Sequence, residues 1–94
     1  MRAKRIDDNQ VQIVRALRRC GVRVLSLAPM GKGVPDLLVA RGQKMALVEI
    51  KDGQKPPSAR KLTALQQEFH ALWSPNVATL TSVDEIDGFL RMWL

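Results

Sequence analysis

Two short apolar runs, separated by four polar residues, constrain the fold of this chain most. The first run covers residues 36–40, the second covers residues 45–51, and Arg41-Gly42-Gln43-Lys44 lies between them. Apolar runs of this length are typical of strands, and a short link containing glycine indicates an antiparallel hairpin. If the hairpin turns at Gly42-Gln43, its register places Asp36 directly opposite Glu49.

The segments around this hairpin predict an α/β chain with the element order αβββαβα. Apolar residues recur at helical spacing in the first segment, which ends at Gly21, a residue that commonly follows a helix. Proline in the loop after the hairpin prevents that segment from continuing the sheet. The predicted elements are a helix at 7–20, strands at 22–28, 36–40, 45–51 and 77–81, an exposed loop at 52–60, and helices at 62–73 and 83–94.

Helical periodicity also predicts which side chains face the core. In the first helix, Asp7 and Gln10 share the arc of the apolar residues and are therefore expected to point inward. In the second helix, an apolar arc that ends at Trp73 is expected to pack in the core. Cys20, at the end of the first helix, is expected to be a small buried residue.

Length and composition indicate one domain, over residues 1–94, with a polyanionic partner. The chain has 94 residues, of which 46% are hydrophobic, and a formal net charge of +6 at pH 7. A basic domain in which no basic amphipathic helix dominates favours nucleic acid over a membrane surface as the partner, although solubility alone also explains the charge. A single cysteine cannot form an internal disulfide, so a cytoplasmic location is expected.

The pair of facing acids predicts a cation site. Like charges directly opposite each other on a sheet destabilise it, and a divalent cation between two carboxylates relieves the repulsion. Lys51 is two residues beyond Glu49 and so shares its face. An ammonium group beside a bound Mg²⁺ or Mn²⁺ is suited to phosphodiester hydrolysis. The alternative is a surface glutamate and lysine on a half-exposed strand.

These residues resemble a known family. Pro35-Asp36 followed by Glu49-Ile50-Lys51 is similar to the PD-(D/E)XK nuclease signature, and the segments at 33–40, 47–53 and 62–66 resemble its VRR-NUC branch, particularly the small stand-alone phage and bacterial forms. The resemblance implies a restriction-endonuclease-like αβββαβ core with a mixed sheet and an added C-terminal helix. It also implies metal-dependent cleavage of branched DNA, such as four-way junctions, by a homodimer in the cytoplasm of a bacterial or phage-infected cell.

The resemblance assigns roles position by position. It implies that Asp36, Glu49 and the main-chain carbonyl of Ile50 bind the metal and that Lys51 is catalytic. Gln66 matches a helix glutamine of the family, although Thr63-x-x-Gln66 is also a helix capping box. Two residues of the first helix complete the set: Asp7 is a candidate metal ligand or a helix N-cap, and Gln10 is a candidate DNA contact or a boundary residue.

The remaining candidates are basic or apolar. Lys32, Lys55, Arg60 and Lys61 lie in loops beside the predicted site, where they either contact phosphate or are ordinary solvated charges. His70 is expected to be a packing or surface residue, because no second histidine accompanies it. The final helix carries the apolar residues Ile86, Phe89, Leu90, Met92, Trp93 and Leu94, which form core or cover a partner subunit.

Three functions are compatible with the sequence. The leading hypothesis is a metal-dependent endonuclease. A DNA-binding module that keeps the fold but does not cleave is the alternative, and it predicts salt-sensitive binding that a chelator does not change. A third possibility is a nuclease subunit that requires another protein to present its substrate.

Overall fold

The computed structural model describes residues 8–94, which form a mixed α/β fold around a four-stranded sheet. Short 3-10 turns at Ala28–Met30 and Val83–Glu85 precede β2 and α4. The helices and strands are α1 Asp8–Arg19, β1 Arg23–Ser26, β2 Leu37–Arg41, β3 Lys44–Ile50, α2 Pro57–Arg60, α3 Ala64–Trp73, β4 Val77–Leu80 and α4 Ile86–Trp93.

The sheet is mixed, with the spatial order β1-β2-β3-β4. Strands β1, β2 and β3 are antiparallel neighbours, and β4 is parallel to β3. The central hairpin pairs Arg41 with Lys44 and Leu37 with Val48. The predicted two-residue turn at Gly42-Gln43 is therefore confirmed, and Gly42 has the positive φ of 61° that such a turn requires.

One face of the sheet forms the core together with α1 and α4. Ile13 and Leu17 of α1 are fully buried, since they recur four residues apart on the face of the helix that contacts the sheet. The core-facing residues of the strands alternate with outward-facing ones, as β structure requires. The hydrophobic core comprises Ile13, Leu17, Val22, Leu37, Val39, Ala46, Val48, Ile50, Ala78, Leu80, Ile86, Phe89 and Leu90.

The opposite face of the sheet carries α3, and here the prediction that the apolar arc of this helix packs in the core was wrong. Trp73 was expected in the core but is 52% exposed, and Leu65 and Leu72 of the same apolar arc are also exposed. The only buried residue of α3 is Gln66. Periodicity identified the apolar side of this helix correctly, but it does not reveal whether another element of the chain covers that side.

Two further expectations were wrong at the ends of elements. Cys20 is exposed, because it follows α1 at the solvent side of its last turn. The segment 52–60 was expected to be a loop throughout, yet Pro57–Arg60 forms a single helical turn, α2. Proline at the first helical position has a φ suited to a helix, which explains how this proline-containing segment begins one.

Within residues 8–94, no helix combines the length and the apolar character needed to span a bilayer.

Candidate functional site

Two buried carboxylates define the candidate site, on the face of the sheet opposite the core. Asp36 is 6% exposed and Glu49 is 2% exposed. The hairpin register ends at Leu37 opposite Val48, and Asp36 and Glu49 are the next residues of the two segments beyond that pair. The alternative of a half-exposed glutamate does not hold for Glu49. Burying charged carboxylates side by side is costly unless other groups compensate.

A main-chain contact fixes the orientation of Asp36. The Ile50 N–H donates to Oδ2 of Asp36 at 2.7 Å, across the hairpin. The carbonyl of Asp36 accepts from the Leu27 N–H at 2.8 Å, so the backbone at this residue is held as well. Asp36 is thereby placed beside the backbone of Ile50, whose carbonyl the sequence proposed as a ligand.

Gln66 joins the other members of the site through its side-chain amide. Its Nε2 donates to Oε2 of Glu49 at 3.3 Å, and its Oε1 accepts from Nζ of Lys51 at 2.8 Å. The same Oε1 accepts from the Thr63 N–H at 2.9 Å, completing a capping box at the start of α3. The two roles proposed for Gln66 are therefore not alternatives, because the residue caps the helix and contacts both Glu49 and Lys51.

Asn9 supports this site and was missed from the sequence. Its Nδ2 donates to the carbonyl of Lys51 at 2.9 Å and to that of Thr81 at 3.2 Å. These bonds attach the first turn of α1 to the chain just beyond β3 and β4. The available signal was a run of polar residues at the start of an otherwise amphipathic helix, from which the sequence singled out Asp7 and Gln10 only. Gln10 is buried, as predicted, whereas Asp7 lies outside the described residues.

His70 lies one turn beyond Gln66 on α3 and is half-buried. Among residues 8–94, its Nε2 has no hydrogen-bond partner although that atom is buried. Desolvation, followed by the positive charge of Lys51, lowers the pKa of His70 below its ordinary value of 6.5. The imidazole is therefore neutral near pH 7.

The predicted DNA-contacting lysines are exposed. Lys55 and Lys61 flank α2, in the segment that joins Lys51 to α3, and Arg60 between them is half-buried. Lys32 lies on a different segment, against Leu65 and Leu72 at the apolar side of α3. Three of the four basic residues therefore lie in the segment that follows Lys51 along the chain, and Lys32 lies beside α3.

The donor set at this site fits a hard divalent cation. Asp36 and Glu49 supply carboxylate oxygens, and Ile50 supplies a carbonyl oxygen within the same hairpin. Within the described part of the chain, no cluster of three or more His, Cys, Asp or Glu side chains is suited to a metal. Mg²⁺ commonly binds through one or two carboxylates and keeps several waters, so two acids and one carbonyl match its requirements.

In comparisons with protein-family models, curated proteins and solved structures, nothing matches this chain. The geometry of the site therefore carries the functional proposal.

Proposed function

We propose that this protein is a divalent-metal-dependent endonuclease that hydrolyses phosphodiester bonds in structured DNA. The observation that carries the proposal is the pair of buried carboxylates, Asp36 and Glu49, of which Glu49 is joined through Gln66 to the ammonium of Lys51. A protein that only binds DNA gains nothing from two buried acids near a phosphate, because they repel it. A restriction-endonuclease-like core is part of the proposal.

Asp36, Glu49 and the Ile50 carbonyl would hold Mg²⁺ or Mn²⁺. When bound, such an ion polarises a phosphodiester oxygen and lowers the pKa of water, which supplies a nucleophile at neutral pH. Asp36 is already oriented by the Ile50 N–H, and Glu49 by the Gln66 amide. Preorganised ligands need little rearrangement when a cation binds.

Lys51 would stabilise the charge that develops during the reaction. Its Nζ has three N–H donors, and the contact with Oε1 of Gln66 uses one of them. The remaining donors are suited to the attacking water and to a phosphate oxygen as negative charge builds up on it. The amide of Gln66, held by the helix cap, keeps the ammonium from turning away from the acids.

Branched DNA, including four-way junctions, is the substrate class we propose, and a homodimer is the proposed form of the enzyme. A four-way junction presents two related strands for cleavage, and a twofold dimer presents two related sites. Lys55, Arg60 and Lys61 lie in the segment between Lys51 and α3 and would contact the phosphate backbone without reading its sequence. Gln10 and Asp7 of the α1 region remain proposals as a DNA contact and a metal ligand.

A cleavage assay tests the proposal. Labelled four-way, flapped and linear duplexes are incubated with the protein in Mg²⁺, in Mn²⁺ and in chelator. We expect metal-dependent cleavage of branched substrates and a loss of at least about 100-fold in Lys51→Met, since removing one preorganised donor costs roughly that much. Lys44→Met is the matched control, because Lys44 is an exposed lysine at the other end of β3.

Three outcomes separate the candidate functions. Salt-sensitive binding that the chelator leaves unchanged, without cleavage of any substrate, would indicate the binding module instead. Cleavage that appears only after another protein is added would indicate the partner-dependent subunit. Equal cleavage by the wild type and Lys51→Met would remove the proposed catalytic role.

A further inference from the structure

An apolar surface lies beside the candidate site, on the same face of the sheet. Side chains of β1, β2 and β3 form a row across this face, where Leu25 is opposite Leu38 and Leu38 is opposite Leu47. On α3, the apolar side chains point away from the core. Six large side chains of this surface, which we call the α3 face, are more than half exposed: Leu25 58%, Met30 57%, Met45 60%, Leu65 55%, Leu72 77% and Trp73 52%.

The α3 face contains both a groove and a ridge. The groove has a volume of about 560 Å³ and runs between the sheet and α3, with Met30, Leu38, Met45 and Trp73 among its lining residues. The ridge is helix α3 itself, from which Leu65 and Leu72 project, 55% and 77% exposed. These two side chains also line a smaller depression together with Lys32, Glu68 and Phe69. Phe69 stacks on Trp73 with ring centroids 5.2 Å apart, so the groove has a rigid aromatic wall.

Charge excludes nucleic acid from this groove and favours an uncharged partner surface. The groove is lined by no Lys, Arg, Asp or Glu among the described residues, although the chain as a whole carries +6. Two molecules of the same positive charge repel each other least when their contact surfaces carry no like charges. The α3 face meets that condition. At its edge lie Lys32 and Glu68, and their opposite signs allow pairing between two copies related by a twofold axis.

We infer that the α3 face is where a second copy of this chain binds. Six large apolar residues that are each more than half exposed supply much of the roughly 800 Å² that each partner contributes to a standard-size interface. Monomeric proteins rarely expose this much apolar surface on one face. A groove next to a ridge is self-complementary, since each copy places its ridge in the groove of the other.

This inference replaces α4 as the candidate interface. Of the apolar residues of that helix, Ile86, Phe89 and Leu90 belong to the core, and Trp93 and Leu94 pack against it. Met92, at 84% exposed, is an isolated exposed side chain of α4. The C-terminal helix therefore uses its apolar residues within its own subunit.

Binding at the α3 face would also order the candidate site. Helix α3 buries only Gln66 of its own residues, so its attachment to the rest of the subunit depends on that side chain, on Phe69 and on close packing at its first turn. A second copy would hold the helix from the other side and thereby fix Gln66 against Lys51 and Glu49. This consequence for cleavage rests on the proposed nuclease function, whereas the dimer itself does not.

Sedimentation of matched charge variants tests the inference. Leu72→Glu places a charge on the α3 face, and Met92→Glu places the same charge at an equally exposed apolar residue of α4. Neither side chain is in the core, so both variants should fold, as circular dichroism would verify. We expect the wild type and Met92→Glu to sediment as dimers at about 100 μM and Leu72→Glu as a monomer, with at least a tenfold weaker association constant.

Fluorescence provides a second measurement on the wild-type surface. In Trp93→Phe, Trp73 is the sole tryptophan of the chain, and we expect its emission to shift to shorter wavelength as the protein concentration rises. A wild-type chain that stays monomeric at 100 μM would overturn the inference and leave the α3 face to a different protein or a lipid surface. Equal dimerisation of Leu72→Glu and the wild type would also overturn it. A dimer that cleaves no DNA would retain the inference and remove the proposed function.

Discussion

At the scale of single residues, the side-chain amide of Gln66 connects folding with the candidate chemistry. It caps α3 through Thr63, and it contacts Glu49 and Lys51 through different atoms. The amide has an acceptor oxygen and a nitrogen with two N–H donors. The ammonium donates to the oxygen, and the carboxylate accepts from the nitrogen. A residue in this position is expected to affect both stability and cleavage when it is changed.

We predict that Gln66→Met causes a large loss of cleavage and only a small loss of stability. The variant loses half of a capping box, which costs about 1 kcal/mol of unfolding free energy. It also releases Lys51 and Glu49, so we expect cleavage to fall at least about 100-fold. The next residue provides the control, because Gln67 is exposed and its side-chain amide donates to the carbonyl of Leu62. Similar losses of cleavage in Gln66→Met and Gln67→Met would contradict the assignment.

The lowered pKa of His70 makes the free energy of unfolding depend on pH, and it fixes the sign of that dependence. The native protein binds the imidazole proton less readily than the unfolded chain does. Its contribution to unfolding free energy is therefore fully present above pH 6.5 and declines as the pH falls from 6.5 through the native pKa. We predict a shallower loss of stability in His70→Gln than in the wild type between pH 6.5 and about pH 5, measured by urea unfolding. If the unfolding free energies of the two proteins fall in parallel as the pH is lowered, His70 does not cause the loss of stability.

At the scale of elements, the central hairpin was predictable in register as well as in type. Two apolar runs and a short turn leave few pairings, and a slip by one residue would have placed Asp36 on the core face. The environment of α3 was not predictable. Periodicity shows which side of a helix is apolar, but it does not show whether another element packs against that side. The bonds of Asn9 were also beyond the sequence, since they join segments 42 and 72 residues apart.

The close approach of α3 to Gly33 yields a prediction at this scale. Gly33 has a φ of +81°, and a Cβ there would lie 2.6 Å from the backbone of Leu65 in the first turn of α3. Gly33→Ala should therefore push away the helix that carries Gln66. Gly42 also has a positive φ, but a Cβ at that position would meet nothing within 4 Å. Gly42→Ala thus reproduces the backbone strain without the steric clash.

We expect Gly42→Ala to cost about 1–2 kcal/mol of unfolding free energy, from the backbone conformation alone. Gly33→Ala should cost about 1–3 kcal/mol more, because of the clash with Leu65. Urea unfolding of the two variants measures the difference, and cleavage should fall only in Gly33→Ala. Equal destabilisation in both variants would mean that α3 accommodates the methyl group without moving.

At the scale of the whole molecule, the fold assigns different tasks to the two faces of the sheet. Helices α1 and α4 cover one side of the sheet and form the core with it. The other side of the sheet carries the two acids and the apolar side chains of the α3 face. The basic residues of the segment 52–61 follow β3 along the chain and do not line the groove. In our proposals, this division lets one small domain bind a polyanion and a second subunit at separate surfaces.

The positive charge predicts a steep dependence of DNA binding on salt. Each phosphate contact contributes about −0.9 to the slope of log affinity against log salt concentration for duplex DNA. We predict that Lys55→Met and Lys61→Met each reduce the magnitude of this slope by about one. Lys44→Met removes the same charge at the far end of the hairpin and should leave the slope unchanged. Fluorescence anisotropy in chelator measures binding without cleavage. If the three variants have the same slope, DNA does not contact Lys55 or Lys61.

Manganese binding, followed by the electron paramagnetic resonance signal of free Mn²⁺, tests the proposed cation site directly. The facing carboxylates of Asp36 and Glu49 predict that wild-type protein removes the free-ion signal and that Glu49→Gln does not, because the charge of one ligand is lost while its size is kept. Glu68→Gln removes an exposed carboxylate of α3 and should bind Mn²⁺ as the wild type does. Equal binding by the wild type and Glu49→Gln, or no binding by the wild type at millimolar Mn²⁺, would contradict the presence of a metal between these two acids.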